Sequence, residues 1–235
     1  MGMIKVDYPG HNGFLVETET HLLLFDYFRG DLSVLDDKPA DKPLYVFASH
    51  AHGDHFNPDI FKLRGGRRDV HYLLSFDIEG RTEACDDISY LEADRTYDIP
   101  GLGTVETFLS TDEGVAFLVS TEDAVIYHAG DLHWWDWEGE DPGWLAEQER
   151  VFKQETGKLA GKQIDIAFAV LDDRLEDNYA EGLNRFLAVC RPRYVFPMHF
   201  WEDRSVVARF KEQMDPDILT QIMNTADEDH WEINL

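Results

Sequence analysis

Basic residues are scarce in this chain: 21 Lys and Arg stand against 47 Asp and Glu in 235 residues, a formal charge of -26. A surface of that sign repels nucleic-acid phosphates and anionic membranes, both of which are bound chiefly through Lys and Arg. Neither is an expected partner; a small-molecule substrate is, and a homo-oligomer is left open. Cysteine is nearly missing as well. Cys85 and Cys190 show no C-x-x-C spacing, which indicates no disulfide and makes a reducing cytoplasm the default compartment. No apolar run approaches the ~18 residues of a membrane-spanning helix. The opening M-G-M-I-K-V-D-Y-P-G-H lacks the apolar stretch of a signal peptide. Repeats and low-complexity linkers are absent too, so residues 1–235 read as one domain, at a length that one core can serve.

Apolar residues are plentiful, at 43% with 13% aromatic, which excludes a disordered chain despite the charge. Alternation or short apolar runs predict strands at residues 3–8, 14–17, 22–25, 44–48, 70–74, 105–109, 115–120 and 124–128. From residue 143 the period changes. Helices are predicted at 144–159, 178–189 and 204–214, alternating with strands at 164–171 and 194–196. Strands first and β/α alternation later predict sheets covered by outer helices, an α/β layered sandwich.

The densest chemistry is Ser49-His50-Ala51-His52-Gly53-Asp54-His55-Phe56, directly after the strand at 44–48 and before a helix start at Asn57-Pro58. Imidazole and carboxylate are the usual donors to Zn, Mn or Fe, and a structural zinc site would close with cysteines that are not nearby. His50 and His52, two apart, can face one metal, while Asp54 and His55 turn toward a second; Gly53 lets the backbone turn between the pairs. The other reading is a polar loop that happens to be rich in histidine.

The segment resembles the signature of the metallo-β-lactamase-fold superfamily, and the likeness extends along the chain. His11-Asn12-Gly13-Phe14-Leu15, Leu24-Phe25-Asp26-Tyr27-Phe28, Tyr127-His128-Ala129-Gly130-Asp131 and Pro197-Met198-His199-Phe200 resemble further segments of its small metal-dependent hydrolases, in order and spacing. The branch they most resemble is the hydrolases related to the L-ascorbate-6-phosphate lactonases. The resemblance implies an αββα four-layer sandwich with one or two divalent ions, Zn foremost and Mn or Fe as alternatives. His50 and His52 would hold one ion, Asp54, His55 and His199 the other, and Asp131 would bridge. Asp54 would also orient the nucleophile and take its proton, His11 would act on the substrate or leaving group, and Asp26 would orient a ligand histidine.

One ligand of the pattern is missing. The family places a histidine just before a strand where this chain has Leu109-Ser110-Thr111-Asp112-Glu113-Gly114. Asp112 is the best substitute, with Thr111 beside it; alternatively Asp112 and Glu113 are turn acids. After Asp131 comes Leu132-His133-Trp134-Trp135-Asp136-Trp137, with Trp144 close behind, so four of six tryptophans fall within eleven residues. His133, Trp134 and Trp135 are expected at the pocket as an aromatic lid, against the alternative of a plug beneath the following helix. Arg29, Arg174 and Arg204 are the candidate anchors for an anionic substrate. The expected activity is metal-dependent hydrolysis of a small ester, lactone, amide or phosphodiester. The alternatives are a metal-dependent nuclease of the same fold and a non-catalytic metal-binding or sensing module.

Overall fold

The computed structural model describes residues 2–30, 32–82 and 85–235. Two seven-stranded sheets face each other. The first contains β1 (Met3–Gly10), β2 (Gly13–Glu17), β3 (Leu22–Phe25), β4 (Leu44–Ala48), β5 (Val70–Ser75) and β6 (Ile88–Leu91). The second contains β7 (Thr96–Ile99), β8 (Gly103–Leu109), β9 (Val115–Ser120), β10 (Val125–His128), β11 (Ile166–Val170), β12 (Tyr194–Met198) and β13 (Gln221–Ile222). The last strand, β14 (His230–Asn234), returns to the first sheet, giving the orders β14-β1-β2-β3-β4-β5-β6 and β13-β12-β11-β10-β9-β8-β7.

Alternation along each strand sends side chains to two different cores. From the first sheet Phe14, Val16, Leu23, Phe25, Tyr45, Phe47 and Leu73 point between the sheets. Their neighbours Leu15, Leu22, Leu24, Leu44, Val46, Tyr72 and Leu74 point outward. Both faces are therefore apolar, which is why these strands read as continuous hydrophobic runs. The interior is strongly aromatic: Phe14 stacks on Phe168 at 4.0 Å, and Phe47 meets Phe117 edge-on at 5.3 Å.

Helices α1 (Pro142–Gly157), α2 (Glu181–Cys190) and α3 (Ser205–Gln213) join the core of the second sheet. Asp141 caps α1 by accepting from the Gly143 and Trp144 N–H groups, with Pro142 at the position where a missing N–H costs nothing. On α2, Leu183, Phe186, Leu187 and Cys190 form the buried stripe, and Phe186 stacks on Tyr127 of β10 at 5.1 Å. The outer face of the first sheet differs from expectation. It is covered by short 3-10 segments, Leu32–Leu35, Pro58–Gly65 and Phe76–Ile78, which contribute Leu35, Ile60 and Ile78. Asn57 caps the second of these, and Gly65-Gly66 follow too soon for a longer helix. Among the described residues, no helix is long and apolar enough to cross a membrane.

Four strands escaped the sequence reading: β6, β7, β13 and β14. They are the four edges of the two sheets. An edge strand pairs on one side and is often solvated on one face, so its apolar signal is weak. The residues of β7 (T-Y-D-I) are all partly or fully exposed.

Candidate metal centre

The parallel neighbours β3, β4 and β5 in one sheet and β10, β11 and β12 in the other end on the same rim of the sandwich. Loops at the carboxyl ends of parallel strands are where such folds bind ligands. Asp26 follows β3, residues 49–55 follow β4, Asp131 follows β10 and His199 follows β12. The β1–β2 turn, with His11 and Asn12, and the β8–β9 turn, with Asp112, reach the same rim because β2 and β9 run antiparallel to β3 and β10.

Two glycines make this convergence sterically feasible. At Gly114 (φ +68°) an added Cβ would lie 2.0 Å from the Ser49 carbonyl oxygen, and at Gly130 (φ +51°) 2.6 Å from Ser49 Cβ. His11, Asp26, His199 and Trp201 also hold positive φ, a strain of about 1 kcal/mol or more each that clusters at functional sites. Gly53 is not in the left-handed region. Its turn is closed instead by the His55 and Phe56 N–H groups on the His52 carbonyl, at 3.0 and 2.9 Å.

The inner donor group is Asp54, His55, Asp131 and His199. His55 Nε2 lies 3.1 Å from Asp131 Oδ1 and 3.6 Å from Asp54 Oδ2. His199 Nε2 lies 3.4 Å from Asp131 Oδ1 and 3.8 Å from Asp54 Oδ2. Ligands ~2.1 Å from a tetrahedral cation stand ~3.4 Å apart, close to these imidazole–carboxylate separations; the donor atoms of His55, Asp131 and His199 lie within 4.8 Å of one another, as do those of His11, Asp54 and His199. The buried Asp131 Oδ1 has no hydrogen-bond partner despite these two close nitrogens. His55 Nε2 also meets the Asn12 side-chain amide at 2.7 Å, a contact that an ion at this position would displace. An outer group, His50, His52, Asp112 and Asp131, has its donor atoms within 4.8 Å of one another. The other Asp131 oxygen, Oδ2, faces it, 3.7 Å from His50 Nε2.

The inner imidazoles are held from behind. Asp26, fully buried, accepts from the Ser49 N–H at 2.7 Å and the Ser49 hydroxyl at 2.6 Å, and contacts His55 Nδ1 at 2.8 Å. Asp172, which the sequence reading missed, contacts His199 Nδ1 at 2.9 Å and accepts from Arg174 Nε. Carboxylate behind imidazole fixes the tautomer that presents Nε2 to a metal. A signal for Asp172 existed: like Asp26, it is an acid just past the end of a buried parallel strand. Electrostatics agree with the geometry. Burial disfavours the Asp131 carboxylate, but His55, His199 and His50 hold its pKa well below the ordinary range. Burial likewise opposes a charged His55, yet Asp131 and Asp26 raise it well above 6.5. His50, desolvated and facing His55, falls to about 4.

A cleft of about 500 Å³ opens beside the donors, lined by His52, Asp54, Thr111, Asp112, Asp131, Trp135, Trp137, Trp144, Gln148, Arg174 and His199. Trp135 donates to the Asp131 carbonyl at 3.1 Å and stacks on Trp137. His133 and Trp134, expected at the pocket, do not line it. His133 is buried against Gly182, where a Cβ would meet its ring at 2.3 Å, and Trp134 packs near Phe152 under Lys153. The chain alternates sides here, so neighbouring residues cannot all face the cleft. Thr111 ties loops together through the Asp131 and His133 carbonyls rather than offering itself as a donor. His11 Nε2 lies 3.3 Å from Asp54 Oδ2, the same oxygen that faces His55 and His199, and its donor atom is within 4.8 Å of that of His199; the rings of Phe28, His199 and Trp201 enclose it. It is not among the residues lining the cleft. Of the three arginines only Arg174 lines the cleft, flanked by Trp137 and Trp201. Arg29 lies over Phe28, and Arg204 donates to the Ala226 carbonyl.

A sandwich of two mixed sheets with histidines and acids on one rim defines a metallo-β-lactamase-like architecture. The chain matches the beta-lactamase superfamily domain over residues 5–138, more than half its length, and belongs to that superfamily. It is similar to a metal-dependent hydrolase of Pyrococcus furiosus, 25% identical over 211 residues covering 84% of this chain and 85% of that one. A metal-dependent hydrolase of Thermococcus kodakarensis is 24% identical over 212 residues, with the same shares. Among solved structures it is similar to a metallo hydrolase from Ignicoccus hospitalis (TM-score 0.70, 16% identity, 99% of each chain). It is also similar to the metallo-beta-lactamase fold protein YhfI from Bacillus subtilis (TM-score 0.65, 15% identity, 99% and 100% of the chains). At such identities the structural likeness is one of fold, and that fold is the sandwich expected from the sequence.

Proposed function

We propose that this protein is a metal-dependent hydrolase acting on a small ester, lactone, amide or phosphodiester. The observation that carries the reading is the inner group, in which each of two imidazole nitrogens stands 3.1–3.8 Å from each of two carboxylate oxygens beside an open cleft. His55, His199, Asp54 and Asp131 would hold the ion. When bound, a divalent cation supplies Lewis acidity, lowering the pKa of water and polarising a carbonyl or phosphoryl oxygen.

The chain's own residues supply the rest. Asp54 lines the cleft and is placed to orient the attacking water as a hydrogen-bond acceptor; against the effect of burial, His11 and His55 hold its pKa well below the ordinary range. His11, whose pKa burial lowers, holds that carboxylate through its Oδ2. Trp135, Trp137 and Trp144 give an apolar wall on which a flat part of the substrate can stack. Gln148 donates to the Thr111 carbonyl at 3.0 Å while its buried Oε1 has no partner, leaving an acceptor for a substrate N–H or O–H. Small size is favoured over nucleic acid. Arg174 is the only Lys or Arg among the lining residues, and Asp172 engages its guanidinium, so the cleft offers no basic track for a phosphate backbone.

The test combines elemental analysis of the purified protein with hydrolysis of a chromogenic ester and phosphodiester panel, before and after chelation. The expected result is bound metal, activity lost with the chelator and restored on reloading, and both lost in Asp131→Ala. A protein that binds no metal refutes the proposal. Metal binding without hydrolysis of any panel member favours the sensing module instead.

A further inference from the structure

We infer that Asp112 and Glu113 complete a second, outer cation position with His50, His52 and Asp131, one that is richer in oxygen than a three-imidazole site. The inference rests on the metal reading of the inner group. Its geometry is independent of that group except for the shared Asp131.

His50 Nε2 and His52 Nδ1 lie 3.0 Å apart, and Asp112 Oδ2 is 3.6 Å from His52 Nδ1. Asp131 Oδ2 closes the set from the far side, 3.7 Å from His50 Nε2. The edges again fit the ~3.4 Å expected around a tetrahedral ion. Both imidazoles have a neighbour at the ring nitrogen that does not face the centre. Ser49 Oγ lies 3.0 Å from His50 Nδ1, which leaves Nε2 turned to the centre. Glu113 Oε2 lies 3.5 Å from His52 Nε2, the ring nitrogen that faces away from the centre. Glu113 takes the side of His52 that Asp26 takes of His55 and Asp172 of His199, at a longer distance and on the surface.

Thr111 locks the two carboxylates in register, because its hydroxyl bonds the carbonyls of Asp131 and His133 at 3.1 and 2.6 Å while Asp112 follows next in the chain.

Two consequences follow for the metal. The outer position offers two imidazoles and two carboxylates. Replacing an imidazole by a carboxylate moves preference toward harder ions, so Mn(II) gains on Zn(II) relative to a three-histidine site. His52 and Asp112 are 44% and 45% exposed, whereas His55 is wholly buried and His199 nearly so. The inner position therefore fills first and the outer one binds more weakly.

The experiment titrates the metal-free full chain with Mn(II), reading free Mn(II) by electron paramagnetic resonance, and repeats it in competition with Zn(II). The expected wild-type result is two ions bound in two steps. Asp112→Asn should weaken the second step by at least ~10-fold and leave the first unchanged. Asp112→His should retain both steps and lower the Mn(II)-to-Zn(II) affinity ratio of the second by ~10-fold or more. This variant serves also if Asp112→Asn fails to fold. Two wild-type ions with an unaltered second step in Asp112→Asn overturn the assignment while leaving the hydrolase reading intact. A single wild-type ion, or an unchanged ratio in Asp112→His, also overturns it. A wild type that binds nothing refutes the hydrolase reading itself.

Discussion

Asp172 offers a direct test of whether the carboxylates behind the imidazoles matter. Its side chain is fully buried, contacts His199 Nδ1 at 2.9 Å and accepts from Arg174 Nε at 2.9 and 3.1 Å. Burial opposes its charge, but Arg174 and His199 hold its pKa down to about 2, so it is a carboxylate at neutral pH. Asp172→Asn keeps the shape and an acceptor oxygen for the His199 N–H, but removes the charge that makes Nε2 more basic. Loss of such a partner typically weakens metal binding 10- to 100-fold, which is about 1.4–2.7 kcal/mol. Only the inner position contains His199, so the loss should fall on the first binding step. Competition against a chromophoric chelator at pH 7 measures that step, and near-ultraviolet circular dichroism of the metal-free variant checks that the fold is intact. An intact variant whose first step stays within about twofold of wild type would refute the reasoning, because it would mean that His199 is oriented by packing alone.

Two further outcomes are expected. Glu17 is partly buried, which opposes its charge, yet Lys42 and Lys38 lie at 3.0 and 3.2 Å and hold its pKa below 4.5. A depressed carboxyl stabilises the fold above its unfolded-state value and loses that contribution as pH falls through its folded one. Glu17→Gln should thus cost about 2 kcal/mol at pH 7, between a surface and a fully buried pair. In urea unfolding the gap to wild type should narrow as pH drops below about 4.5; a gap that is constant with pH contradicts this. The tryptophans separate by role. Trp137→Ala should raise KM for an aromatic ester about 3- to 10-fold, the worth of one stacking contact, whereas Trp134→Ala should lower the melting temperature and leave KM unchanged. The reverse pattern would exchange their assignments.

Much of the fold was legible because the signals are local. Phe14, Leu23, Phe47 and Leu73 belong to strands buried on both faces, and such strands announce themselves as apolar runs. The four edge strands did not, since pairing on one side asks less of their side chains. Among the rim residues, His50, His52, Asp54 and His55 were visible as a cluster because one loop carries them all. His133 and Trp134 were misplaced for the opposite reason: composition does not say which side of a loop a residue takes, and Gly182 on a distant helix leaves the space that draws His133 inward. Glu113 was passed over as a turn acid because its partner, His52, is some sixty residues away.

By itself, the order of residues determined the sandwich class, the poverty of cationic surface and the identity of the donor types, all of which depend on neighbours in the chain. Tertiary structure alone decided that Asp131 directs its two oxygens to different groups of imidazoles, that Asp172 stands behind His199, and that Arg174 rather than Arg29 or Arg204 enters the cleft. Those facts depend on strand order and register, which bring β4, β10, β11 and β12 to one rim from far apart in the chain. A shift of one residue in any of these strands would turn its last side chain to the opposite face, and no local pattern in the sequence records that choice.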